Sequence, residues 1–166
     1  MFFRFFCLFS LTLFAPRVSA QESIDSMLGV VMQNVITQSD IKSLHLINQY
    51  HIPETAILYE RSGKEPLDFL METEILHALA SGVPIYEMTE KEKKYSTQLY
   101  KKISKENPQF LYIDRIDYWL QAQIIAENYI RINLGVTKEN NLSMSTYLRW
   151  IEDQKVRVPH RKLPSP

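Results

Sequence analysis

The chain has 166 residues, of which 19 are basic, 19 are acidic and 45% are hydrophobic. This length fits one domain with a sizeable apolar core. The even charge balance argues against a general nucleic-acid-binding protein, which requires a basic face.

The first 20 residues have the features of a signal peptide. Arg4 supplies a positively charged start, and an apolar run extends from Phe5 to Ala15. The run is too short for a membrane span, which needs about 20 residues, and residues 18–20, Val-Ser-Ala, fit a signal-peptidase site. We therefore predict export, with cleavage after Ala20 and no transmembrane helix in the mature chain. Retention of this segment as an anchor is the alternative.

Cleavage would leave a mature chain without cysteine. Cys7 is the only cysteine, and its position inside the apolar run argues against lipidation. The mature chain would therefore have no disulfide, and its stability would rest on an apolar core. Removal of Arg4 and Arg17 leaves 17 basic and 19 acidic residues, a net charge of −2. The predicted location is the periplasm in a Gram-negative host, and the cell exterior otherwise.

A first helix is predicted over residues 23–37 from the spacing of its apolar residues. These residues are Ile24, Met27, Leu28, Val31 and Val35. Gly29 falls inside this helix, where a close helix crossing would account for it. The stripe is typical of a core-facing helix, and a partner-binding face rich in methionine and valine is the alternative.

A second helix is predicted to begin at Ser39, with Asp40 in its first turn. It ends before Pro53, because proline disfavours helical backbone in the residue that precedes it. Residues 54–61 fit either a turn of helix or an extended segment.

Two further helices are indicated by signals at their ends. The third begins at Pro66, which suits a first turn, and closes near Gly82. Thr89 and Glu92 form a capping box that starts a fourth helix over residues 90–106. Its narrow apolar stripe and many lysines indicate a solvent-facing helix. A docking face for an anionic partner or membrane surface is the alternative.

Residues 109–134 form a long, apolar segment without glycine or proline, which predicts the central helix of the domain. A wide apolar arc opposes a narrow polar stripe, as in a helix enclosed by its neighbours. The stripe consists of Asp114, Asp117, Gln121, Asn128 and Arg131. Gly135 suits a left-handed cap at the C-terminal end.

A last helix is predicted over about residues 144–154, capped by Ser143 or Ser145. Residues 155–166 are basic and contain three prolines, so they are predicted to form an extended, mobile arm. Alternatively, this arm becomes ordered on a protein partner. The predicted partner-binding residues are Tyr147, Trp150, Lys155, Arg157, His160, Arg161 and Lys162.

Few groups in the sequence point to catalysis. Glu74 and His77 form a Glu-x-x-His pair, but a di-iron site needs a second such pair, so neither a metal nor a cofactor is predicted. Asp114 and Asp117, or Glu74, would be the acid and base if the protein cleaved glycan. We assign no catalytic residue, since acids spaced i, i+3 on a polar stripe are normally solvated. The sequence also contains no nucleophile elbow and no phosphate-binding loop.

The sequence therefore predicts an all-α domain of five to six helices over residues 21–154. The predicted function is that of an exported protein that binds another envelope protein, as an assembly component, a secretion-system accessory or an immunity protein. One alternative is a small glycan hydrolase, which requires a cleft with a carboxyl of raised pKa. The other is a carrier, which requires a closed apolar cavity of at least a few hundred Å³.

Overall fold

A computed structural model describes residues 25–108, 115–136 and 142–164 of the chain. In chain order the elements are β1 (Met27–Val31), β2 (Asn34–Thr37), α1 (Gln38–Asn48), α2 (Glu54–Arg61), α3 (Pro66–Ala80), a 3₁₀ turn (Pro84–Tyr86), α4 (Glu90–Glu106), α5 (Ile116–Leu134), α6 (Met144–Lys155) and β3 (His160–Lys162). The protein is mostly helical with six α-helices in these ranges, so the predicted all-α class is confirmed in outline, and a small three-stranded sheet that was not predicted is added to the helices. None of the described helices combines the length and apolar character needed to cross a membrane.

The predicted first helix is wrong, because residues 27–37 form an antiparallel hairpin. Val31 pairs with Asn34 across a two-residue turn, and Val30 pairs with Val35. β-Branched residues favour strands. Apolar side chains occupy both faces of the hairpin, and for this reason their spacing also fits a helix.

Gly29 marks a close approach between β1 and α3. A β-carbon at this position would lie 3.2 Å from the sulfur of Met71, which is tighter than ordinary packing. The close crossing inferred for Gly29 therefore exists, but it joins a strand to a helix.

Met32 occupies the hairpin turn with a φ of 52°, a left-handed conformation that costs an L-residue about 1–2 kcal/mol. We expect Met32→Gly to raise the free energy of unfolding by about 0.5–1 kcal/mol, after allowance for the flexibility of glycine in the unfolded chain. Urea denaturation of the two proteins measures the difference. Met27→Gly is the matched control, since Met27 is equally exposed, at 58%, but lies in β1. We expect the control to be destabilised, and a loss of stability in both variants would contradict the assignment of strain to Met32.

Several predicted helix ends are confirmed. α3 begins at Pro66, and α4 begins after the capping box of Thr89 and Glu92. Gly135 caps α5 with a left-handed φ of 61°, and the Ser143 side chain caps α6. Local end signals therefore place these helices correctly.

α5 is the central helix, although it begins at Ile116 and not at Gln109. Residues 109–114 lie outside the described ranges. Trp119, Leu120 and Ala122 of α5 are fully buried, and the helix contacts α1, α3 and α4. The apolar core is continuous along this helix, with one cluster around Trp119 and a second around Ile130.

Four carboxylates are buried in the described fold, and each binds groups from distant parts of the chain. They are Asp40, Glu72, Glu74 and Glu127, with exposed fractions of 1%, 1%, 1% and 9%. An unpaired buried charge would cost several kcal/mol of desolvation free energy. These carboxylates therefore tie helices and strands together through ion pairs and hydrogen bonds.

Candidate functional site

The segment that was predicted to be a mobile arm contains an ordered edge strand. After α6 ends at Lys155, Val158 is buried in the core. β3 then pairs with β1 in antiparallel orientation, which gives the sheet order β2-β1-β3. The prediction of a mobile arm is thus wrong as far as residue 164, because β1 supplies the backbone hydrogen bonds that this segment lacks locally.

Two backbone hydrogen bonds fix the register of β3. The Met32 N–H donates to the Pro159 carbonyl at 2.8 Å, and the Leu163 N–H donates to the Leu28 carbonyl at 2.9 Å. These two bonds lie at the two ends of the paired region. Met32–Pro159 and Leu28–Leu163 are therefore hydrogen-bonded pairs. The pattern of the pairs that lie between them follows from these two.

β3 presents an open backbone edge. Antiparallel strands alternate between hydrogen-bonded and non-hydrogen-bonded residue pairs. Arg161 and Val30, which lie opposite each other, therefore form the hydrogen-bonded pair between the two end pairs. The N–H and carbonyl groups of His160 and Lys162 consequently point away from β1. No other described backbone segment pairs with that side of β3.

A cleft of about 350 Å³ lies beside this edge, between α3, α6 and β3. Met71 and Ile75 of α3 give it apolar lining. An extended segment that paired with β3 would place alternate side chains over the cleft, since successive side chains point to opposite faces of a strand.

Most charged groups around the cleft are paired. Lys162 contacts Asp68 at 2.5 Å, and Lys155 contacts Glu72 at 2.6 Å. Arg161 is exposed and forms no salt bridge with another described residue. The edge strand therefore offers one cation to an incoming carboxylate.

Lys155 fixes the junction between α6 and the segment that leads to β3. Burial alone would lower its pKa, but its hydrogen bonds to Glu152 and Glu72 outweigh burial and raise the pKa of Lys155. The hydrogen bond from Lys155 also lowers the pKa of Glu152, against the smaller effect of burial. The ammonium group therefore stays charged and holds the end of α6 against α3.

Four of the seven predicted partner-binding residues line this one cleft. These are Lys155, His160, Arg161 and Lys162. His160 orients its ring toward its own segment, with Nδ1 at 2.8 Å from the Val158 carbonyl oxygen. The clustering follows from the pairing of β3, which the sequence alone did not indicate.

The other three predicted residues do not line the cleft. Tyr147 is 1% exposed and belongs to the core. Trp150 is half-buried and packs on Tyr129, with ring centroids 5.8 Å apart. Arg157 donates to the Gln154 side-chain oxygen at 2.9 Å. Tyr147 is therefore a packing residue and not an exposed anchor.

Glu74, the alternative acid or base, is enclosed between the hairpin, α3 and α5. Its carboxylate accepts hydrogen bonds from Tyr118, at 2.5 Å, and from the Asn34 amide, while His77 Nδ1 lies 3.8 Å away. Burial alone would raise the pKa of Glu74, but the nearby His77 and the hydrogen bonds from Tyr118 and Asn34 outweigh burial and lower it. Glu74 is therefore ionised near neutral pH, which does not suit a general acid.

The predicted pair of aspartates is not brought into a cleft by the described residues. Asp117 accepts a hydrogen bond from Gln121, one turn along α5, at 2.8 Å. Asp114 lies outside the described ranges. Among the residues that the structure describes, no three His, Cys, Asp or Glu side chains are grouped closely enough to hold a metal ion.

A second cleft, of about 270 Å³, is lined by Glu127, a residue that the sequence did not single out. The Glu127 carboxylate accepts the Thr55 N–H at 3.0 Å at the start of α2, and burial raises the pKa of Glu127. His51 and Tyr95 line the same cleft and are joined by a hydrogen bond of 3.0 Å. A charged residue beside the apolar arc of α5 is the sequence signal that could have identified Glu127.

A third cleft, of about 460 Å³, lies between the end of α3, α4 and α5. Its lining combines Ile125 and Met88 with Lys93, Glu87 and Gln121. These mixed, open surfaces differ from the closed apolar cavity that a carrier of an apolar ligand requires.

Comparison with protein-family models, curated proteins and solved structures found no match to this chain.

Proposed function

We propose that this protein is exported and binds another envelope protein by accepting an extended segment of it at the open edge of β3. The observation that carries the proposal is the outward orientation of the His160 and Lys162 backbone groups, which follows from the register of β3. Strand addition satisfies such groups, and neighbouring pockets then select side chains.

The charge of β3 favours a different protein over a second copy of this chain. Antiparallel pairing of two β3 strands would place His160, Arg161 and Lys162 opposite one another, and like charges directly opposite are destabilising. A segment with an acidic residue opposite Arg161 would instead form a cross-strand ion pair. An apolar residue next to that acid would face the Met71 side of the cleft.

Export is the part of the proposal that rests on the sequence. The positive start, apolar run and Val-Ser-Ala site of residues 1–20 support it, and these residues lie outside the described ranges. In a Gram-negative host the partner would be a periplasmic or membrane-attached envelope protein. Secretion of an epitope-tagged full chain, with N-terminal sequencing of the mature form, tests cleavage after Ala20.

Photo-cross-linking in the producing cells tests the strand-addition site. A photoreactive amino acid replaces His160, and the cross-linked product is compared in Lys162→Ala and Lys162→Pro backgrounds. Proline lacks the outward N–H but is tolerated in an edge strand. We expect the proline change to reduce cross-linking about tenfold, which corresponds to one lost hydrogen bond of about 1.4 kcal/mol.

Lys162→Ala is the matched control, because both substitutions remove the contact with Asp68. We expect the alanine variant to retain the cross-linked partner. Equal cross-linking in the two backgrounds, or no partner at His160 while a probe at Trp150 captures one, would contradict strand addition at β3.

The cleft with Glu127 supports hydrolysis of glycan as a second candidate function. A carboxyl whose pKa is raised by burial is a candidate general acid. Glu127→Gln keeps an oxygen that can accept the Thr55 N–H, so this variant should fold. Release of sugar by the natural protein and not by Glu127→Gln would support glycan hydrolysis at this cleft. Equal activity of the two proteins would show that Glu127 is not a catalytic residue.

A further inference from the structure

α4 presents a basic face to solvent. Four lysines and one glutamine follow one another at spacings of three and four residues, and all five are exposed: Lys91, Lys94, Gln98, Lys101 and Lys105. At 100° per residue they fall within an arc of about 80°, roughly opposite the buried Leu99 and Ile103. The row is about 21 Å long at a rise of 1.5 Å per residue.

The acidic residues of α4 do not neutralise this row. Glu92 caps the helix by accepting from Thr89 at 2.7 Å. Glu90 pairs with Lys93, which lies off the row, at 2.8 Å. Glu106 accepts from the Tyr50 hydroxyl at 2.8 Å. None of the four lysines of the row forms a salt bridge with another described residue.

We propose that this lysine face of α4 binds the surface of a bilayer that contains anionic phospholipids. The row concentrates four positive charges on one side of a chain whose acidic and basic residues are equal in number. A straight row on an outer helix can lie flat on a planar anionic surface, where each lysine contributes about 1 kcal/mol. The face is separate from β3, so this inference does not depend on the proposed strand addition.

The composition of the face favours a bilayer over nucleic acid. Sequence-tolerant nucleic-acid sites combine cations with aromatic rings on which bases stack, and arginine is prominent in them. This row contains only lysine and glutamine, and α4 contains no arginine. Lysine is a compact, hydrated charge on a flexible stem, which suits diffuse attraction to headgroups.

Co-sedimentation of the mature protein with phosphatidylcholine vesicles, with and without phosphatidylglycerol, tests the proposal. We expect binding only to the anionic vesicles, and weaker binding as salt is added, because salt screens surface charge. Replacing Lys91, Lys94, Lys101 and Lys105 with glutamine is expected to weaken binding several hundredfold, at about fivefold for each lysine. Glutamine has a helix propensity close to that of lysine, so α4 should remain folded.

The matched control removes four positive charges elsewhere and has the same net charge as the first variant. It carries the substitutions Lys42→Gln, Arg61→Gln, Arg149→Gln and Arg157→Gln, all at exposed positions outside α4. We expect it to lose about fivefold or less in vesicle affinity. Equal losses in both variants, no preference for anionic vesicles, or tighter binding to duplex DNA than to the vesicles would overturn the proposal. Circular dichroism confirms that both variants retain their helices.

Discussion

Replacing Asp40 with alanine is expected to lower the free energy of unfolding by about 3–5 kcal/mol, the usual cost of breaking a buried ion pair. Asp40 is 1% exposed and accepts the indole N–H of Trp119 at 2.6 Å. It also pairs with Arg115 at 2.9 Å and accepts the Thr37 N–H at 2.8 Å, which caps α1. The substitution would leave a buried N–H and a half-buried guanidinium without their partner.

Urea denaturation followed by tryptophan fluorescence measures this loss. Asp40→Asn keeps one accepting oxygen and is expected to lose less stability than Asp40→Ala. Asp153→Ala is the control, because Asp153 is exposed on α6, and its effect should stay within about 0.5 kcal/mol. A similar small effect for Asp40→Ala would show that Asp40 does not join α1 to α5.

Replacing Glu72 with alanine is expected to cost a comparable amount, about 3–5 kcal/mol. Glu72 is 1% exposed, and its carboxylate forms ion pairs with Lys155 at 2.6 Å and with Lys64 at 3.1 Å. The Tyr147 hydroxyl donates to the same carboxylate at 3.3 Å. Loss of Glu72 would leave both ammonium groups and a buried hydroxyl without this partner, and would free the end of α6 from α3.

A double-mutant cycle separates the ion pair from general damage to the core. Glu72→Leu and Lys155→Met are each expected to destabilise the protein, and the double variant should lose less than the sum, because neither member of the Glu72–Lys155 pair is left without the other. Urea denaturation of the four proteins gives the coupling free energy. Additive losses would contradict a direct interaction between Glu72 and Lys155.

The helix ends could be predicted because their signals are local. Pro66, the capping box at Thr89, Ser143 and Gly135 each act within one turn of the helix they begin or end. The hairpin was missed for a related reason. Its two-residue turn is Met32-Gln33, without the glycine or asparagine that usually marks such turns.

The cleft beside β3 depends on contacts between residues that are far apart in the sequence, and local sequence patterns do not indicate such contacts. β3 is ordered because Lys162 pairs with Gly29, more than a hundred residues earlier in the chain. The burial of Glu72 likewise depends on Lys155, a residue of a different helix. A charged residue in a predicted helix is expected to be exposed, so only the tertiary structure identifies these carboxylates as internal.

Amide hydrogen exchange of the free mature protein tests the open edge of β3 most directly. Backbone amides that are hydrogen-bonded within the sheet exchange slowly, whereas amides that face water exchange rapidly. We expect the Arg161 amide to exchange orders of magnitude more slowly than the amides of His160 and Lys162. Rapid exchange of all three would show that β3 is not paired with β1, and slow exchange of all three would show that its outer edge is already covered.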